Sequence, residues 1–354
     1  MPVSDVELIR AWDQVLSLSG VRSGDMVTVL TSDNTHPQTL RCATISAASC
    51  GAVVNRLDLP PINGEKALSR DSLAYLGTTP LTGNRAAMAA LKASDYVLDL
   101  MTLLFSPEQQ ELLESGTRIL LAVEPPEVLV RLVPTPEDRE RVATAARIFE
   151  GKKAMYVTSK AGTNVRMPLG QYPVVQEYGL VDQPGRWDHW PSGFILTWPN
   201  EGEVEGTIVL DKGDILLPMK SYVQSPITIT IKKGFATSIE GGLDAELLSE
   251  YMASFNDPEA YAISHIGYGL QKRAFWSTLS LYDREATIAM DARAFNGNFL
   301  FSMGPNNEVG GTRSTPCHID IPMRNCSVAL DDVHVVREGK VVEELHSASR
   351  KVAA

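Results

Sequence analysis

The chain has 354 residues, 44% hydrophobic and 21% charged, with 32 Lys and Arg against 43 Asp and Glu. That length suits two domains of ordinary size, and the composition is globular rather than disordered. The net charge of −11 speaks against nucleic acid or an anionic membrane as a partner, because an acidic surface repels phosphate.

Ser4 is placed to cap a helix running through Leu8, Trp12, Val15 and Leu16, which share one face at 3.6 spacing. A strand over 26–30, a helix over 40–48, a strand over 52–57 and a helix over 85–93 follow. Then come a strand over 96–101, a helix over 106–115, a strand over 119–123 and a strand-like run over 155–158. Strands separated by helices of this length predict crossover units, hence an α/β domain built on a mostly parallel sheet with helices on both faces. No Gly-x-Gly-x-x-Gly follows the first strand, so a dinucleotide site is not expected. After about residue 165 glycine and proline become frequent. Short strands over 206–210, 227–231 and 236–239 precede an amphipathic helix over 243–255, and two strands over 331–342 join at Glu338-Gly339. The expectation is an α/β domain over 1–164 and an α+β metal-binding domain over 165–354.

The start lacks the basic and apolar regions of a secretory signal, and no run reaches the ~20 apolar residues of a membrane span. Cys42, Cys50, Cys317 and Cys326 show no Cys-x-x-Cys spacing and read as reduced thiols. A cytoplasmic enzyme or binding protein is expected.

The most informative short motif is His318-Ile319-Asp320, inside a β-biased run bounded by Pro316 and Pro322. At strand period two the imidazole and carboxylate face the same side. A second histidine would complete a two-histidine, one-carboxylate face that leaves adjacent coordination positions open and suits non-haem Fe(II). Of the six histidines, His334 and His346 lie in a polar C-terminal segment and His36 precedes Pro37 at a helix start, which leaves His189 and His265. His265, in Ser264-His265-Ile266-Gly267, reads as a ligand or as a hydrogen-bonded core histidine. His189, between Trp187 and Trp190, reads as a ligand-facing group or as a loop residue locked by Asp188. Ser302 ends a strand before a glycine turn, as a ligand contact or a serine satisfying backbone. Ser106-Pro107-Glu108-Gln109 is a helix start. It places Leu104-Phe105 at the carboxyl side of the parallel sheet, where open α/β sheets bind ligands.

Taken together, Gly170-Gln171-Tyr172-Pro173, the run from Pro184 to Gly193, Ser264-His265-Ile266-Gly267 and the run from Pro316 to Pro322 resemble the 2,5-dihydroxypyridine 5,6-dioxygenases of bacterial nicotinic-acid degradation. The wider fold of that family is the aminopeptidase T-like one. The resemblance implies Fe(II) held by His265, His318 and Asp320. It also implies opening of the pyridine ring between C5 and C6 with both atoms of O2, giving N-formylmaleamate. It further implies substrate contacts at Leu104 and Ser302, and a homo-oligomer, with a hexamer as one candidate. One position departs. The family reads Leu-Leu-His-Ser-Pro-Glu, and this chain reads Leu103-Leu104-Phe105-Ser106-Pro107-Glu108. The family histidine is the acid/base, so Phe105 implies an impaired reaction, whether it was introduced by substitution or belongs to a slower natural homologue. Two other readings stay open: a metal-dependent aminopeptidase on the same fold, and a non-catalytic pyridine-binding protein.

Overall fold

Apolar strands with branched side chains alternate with capped helices in the first part of the chain, and that pattern closes into a parallel sheet. A computed structural model of the chain describes residues 2–60, 79–104, 106–217 and 219–346. The described residues fall into two compact units. The first lies within Met1–Pro134, Tyr178–Ser192 and Ser280–Met290, the second within Thr135–Glu177, Gly193–Leu279 and Asp291–Ala354. Residue 164, where the sequence texture changes, belongs to the second.

In the first unit the strands run in the order Val53–Asp58, Met26–Thr31, Tyr96–Asp99, Arg118–Leu121, Trp187–His189, every neighbour parallel. All four residues of Tyr96–Asp99 are buried, as expected of a central parallel strand covered on both faces. Val53–Asp58 is an edge strand and mostly exposed. The helix Asp5–Leu18 starts with a capping box between Ser4 and Glu7 and buries Leu8, Ala11, Trp12, Val15 and Leu16. Trp12 meets Trp190 edge to face at 4.9 Å between ring centroids. The fifth strand departs from the sequence expectation. The run at 155–158 lies in Ala154–Ser159 and pairs antiparallel in the second unit, whereas Trp187–His189, not expected as a strand, pairs with Ile119–Leu121. Three residues are too few to show a period, so only the partner strand reveals them.

The second unit holds two larger sheets. One is eight-stranded, in the order Phe235–Gly241, Ile227–Lys232, Glu205–Leu210, Asn164–Pro168, Ala154–Ser159, Cys326–Leu330, Val333–Arg337, Lys340–Val341. The helix Leu243–Ala253 packs on its edge strand through Ala245, Leu248 and Met252. The other is five-stranded and antiparallel, in the order Ile319–Met323, Phe299–Met303, Ile263–Gly269, Phe194–Thr197, Val175–Glu177. Every residue of its first three strands is buried. Buried polar side chains are costly unless partnered, so Ser264, His265, Ser302 and Asp320 inside these apolar strands call for a reason. Among the described residues no helix is long and apolar enough to cross a membrane.

Candidate metal centre

The reason begins with the pairing of three strands. Ile263 pairs with Met303 and Ile266 with Phe301, three steps on one strand against two on the other. The extra residue is a β-bulge at Ser264-His265, a device that re-aims a side chain. Ser302 sits opposite this bulge, and its hydroxyl donates to the His265 carbonyl at 2.8 Å. On its other side Ser302 is in register with Asp320. His318 directly precedes the strand Ile319–Met323 and reaches the same side as Asp320 by the two-residue period.

These placements bring three ligand atoms together. His265 Nε2 lies 3.1 Å from His318 Nε2 and 3.1 Å from Asp320 Oδ1, and His318 Nε2 lies 3.2 Å from Asp320 Oδ1. All three residues are buried. Asp320 Oδ1 accepts no hydrogen bond among the described residues despite these short separations. Two metal–ligand bonds of about 2.1 Å at right angles place their ligand atoms about 3.0 Å apart, and a tetrahedral angle places them about 3.4 Å apart. The observed spacing is near three adjacent corners of an octahedron, the arrangement of a facial triad with open positions. The donor set therefore fits a divalent transition metal.

Protonation states agree. Burial pushes the Asp320 carboxyl up, but His318, Arg293 and His265 outweigh it and hold the group well below the usual carboxylate range. Burial pushes His265 below its ordinary value, against the opposing pull of Asp320. A divalent cation requires the carboxylate ionised, which the Arg293 guanidinium beside Asp320 favours whatever the charge on the imidazoles. Two neighbours escaped the sequence reading. Arg293 Nε donates to Asp320 Oδ2 at 2.6 Å, and the Trp198 ring stands edge to face with His265 at 5.6 Å between centroids. Arg293 comes from a five-residue helix, Met290–Ala294, too short for periodicity to show which carboxylate it meets.

Of the other predicted positions, Leu104 and His189 lie in the first unit. The Asp99 carboxylate ends the strand Tyr96–Asp99 and accepts from Met101 N at 3.0 Å and Leu103 N at 2.5 Å. This tight turn includes Thr102 at φ 72° and leads to buried Leu104. Ser106 caps the following helix by accepting from Gln109 N at 3.1 Å, as the sequence predicts. Phe105 itself lies outside the described residues. His189 is buried, and its Nδ1 lies 2.8 Å from the Pro191 carbonyl. Asp188 accepts from the His189 backbone N–H at 2.8 Å and from Arg186 at 2.6 Å. Aspartate thus holds the backbone while proline holds the ring. His346 bonds the Val342 carbonyl at 2.9 Å and the Tyr268 hydroxyl at 3.0 Å, a structural role.

Comparison with known proteins gives a consistent answer. Residues 7–343 match the family model of 2,5-dihydroxypyridine 5,6-dioxygenase. The chain is 54% identical over 350 residues to the 2,5-dihydroxypyridine 5,6-dioxygenase of Pseudomonas putida, covering 99% of this chain and 100% of that one. The solved structure of the dioxygenase from that organism superposes with a TM-score of 0.95, covering 98% of this chain and 100% of the other. AmpT from Thermus thermophilus shares the fold at a TM-score of 0.61 and 17% identity, over 95% of this chain and 99% of that one, as the wider resemblance implied. The chain therefore belongs to the 2,5-dihydroxypyridine 5,6-dioxygenase family.

Proposed function

We propose that this ring-cleaving dioxygenase acts on 2,5-dihydroxypyridine, opening it between C5 and C6 with both atoms of O2 to give N-formylmaleamate. Fe(II) is the proposed metal, held by His265, His318 and Asp320. The observation that carries the proposal is the mutual 3.1–3.2 Å spacing of the three ligand atoms, in a chain whose relative bears the name of that reaction. Dioxygen is a triplet and reacts slowly with a singlet ring, and a ferrous ion bound by these residues would supply the electron transfer that lifts that restriction.

The chain's own residues do the rest. His265, His318 and Asp320 would hold the ion from one side, which would leave positions open to substrate and oxygen. Ser302 keeps the His265 backbone in place, and Leu104 and Ser302 are assigned as substrate contacts through the family resemblance. The Pro191 carbonyl can only accept, so His189 carries a proton on Nδ1, and a neutral ring keeps its lone pair on Nε2. A hydrogen-bonding role for His189 toward the substrate is proposed on the family resemblance. Phe105 has no group that takes a proton, so ionisation of the substrate hydroxyl proceeds without the family's base. The same reading carries a cytoplasmic homo-oligomer, with a hexamer as the assembly for light scattering to test.

The test is anaerobic loading with Fe(II), followed by oxygen uptake on adding 2,5-dihydroxypyridine, for the chain as it stands and for Phe105→His. The histidine variant is expected to gain about 10²–10⁴-fold in rate. No gain would remove position 105 from proton transfer. Substrate binding without oxygen consumption in both forms would identify a pyridine-binding protein. Two zinc or cobalt ions per chain with peptide hydrolysis would identify an aminopeptidase.

A further inference from the structure

The two oxygens of Asp320 have different surroundings. Oδ1 stands 3.1 and 3.2 Å from the two imidazole Nε2 atoms. Oδ2 accepts from Arg293 Nε at 2.6 Å, a short charge-assisted bond between residues 5% and 4% exposed. A guanidinium is seldom buried this deeply unless something fixes it there.

The backbone supplies the fixing. Asn298 Nδ2 donates to the carbonyls of Ala292 at 3.1 Å and Arg293 at 2.8 Å, and its Oδ1 accepts from Gly269 N at 2.6 Å. Asp291 Oδ1 accepts from Phe275 N at 2.7 Å. A Cβ on Gly269 would stand 2.2 Å from the Phe295 carbonyl oxygen and 2.6 Å from that of Ala294, so only glycine lets the chain after the helix approach this closely. Gly269 ends the strand that carries His265. Arg293 is thus anchored to the His265 strand while it grips the carboxylate on another strand.

We propose that Arg293 is a positioning residue of the metal centre, holding Asp320 Oδ2 out of the ligand set so that the carboxylate offers Oδ1 alone. A carboxylate without that grip can swing to bind through both oxygens, closing a position the reactants need. The guanidinium also offsets the charge of the carboxylate.

This inference rests on the metal reading above, and the experiment separates the two. Cobalt(II) is titrated anaerobically into the full chain and into R293M and R293K, with affinity measured by calorimetry and coordination followed by the visible d–d spectrum. Folding is checked by circular dichroism. In R293M the cobalt affinity is expected to fall about 10–100-fold, the usual effect of losing a group that orients a ligand, with a changed spectrum. R293K, which keeps a charged donor, is expected to recover part of both. If R293M does not fold, R293Q replaces it with the same expectation. Unchanged affinity and spectrum in the neutral variant overturn the inference. So does a loss that R293K leaves unrelieved, which would assign the effect to packing. Failure of the unaltered chain to take up cobalt would instead remove the metal reading.

Discussion

Asp99 is a buried carboxylate outside the proposed ligand set, and its environment makes a measurable demand on pH. Burial pushes its carboxyl up to about 6, against the pull of the backbone N–H groups of Met101 and Leu103. The folded chain therefore binds the proton more tightly than the unfolded one, and stability attributable to this site falls as pH rises from about 4 through 6. Relative to Asp99→Asn, the natural chain is expected to be more stable at pH 5 than at pH 7 by about 1–2 kcal/mol. Chemical unfolding of both proteins at the two pH values measures it, and an equal difference at both would show that the group titrates normally. The consequence is local to the turn that presents Leu104. Phe105, next in sequence, illustrates the other kind of residue-scale information: its identity alone says that no proton can be held there, whatever its surroundings.

At the scale of elements, the antiparallel strands of the second unit depend on close backbone approach. Gly267 lies two residues beyond His265, and a Cβ there would stand 1.8 Å from the Ile195 carbonyl oxygen. Backbone cannot rotate away as a side chain can, so Gly267→Ala is expected to cost about 3 kcal/mol or more and to weaken cobalt binding together with stability. Thermal unfolding and cobalt titration of that variant check both, and an unfolding temperature near the original would mean the strands part easily. Much of this element was legible beforehand. The two-residue period put His318 and Asp320 on one side, and Ser264-His265-Ile266-Gly267 was recognisable as a motif. The bulge that turns His265 toward them was not legible, because it is a mismatch between two strands distant in the sequence rather than a pattern within either. For the same reason the run at 155–158 was assigned to the wrong sheet: its apolar character is the same whether its neighbours are parallel or antiparallel.

At the scale of the molecule, the proposed metal couples to folding of the second unit, which contains all three ligands. An ion that binds only the native state at a hundred times its dissociation constant stabilises by about 2.7 kcal/mol. Calorimetric scans with Fe(II) or cobalt are therefore expected to show a raised transition that a chelator lowers again. Identical scans with and without metal would deny a native-state site. Reductant is not expected to matter, since Cys42, Cys50, Cys317 and Cys326 are all free.

By itself the sequence determined what depends on residues near one another in the chain. Capped helices, apolar strands, the same-side pair His318 and Asp320, and the absence of a titratable group at position 105 are all of this kind, because short-range periodicity and side-chain chemistry need no distant partner. The joining of Ile263–Gly269 to Phe299–Met303 and Ile319–Met323, and the arrival of Arg293 behind Asp320, were decided only by tertiary structure. Those contacts arise from backbone pairing and the burial of charge between segments that no sequence period connects.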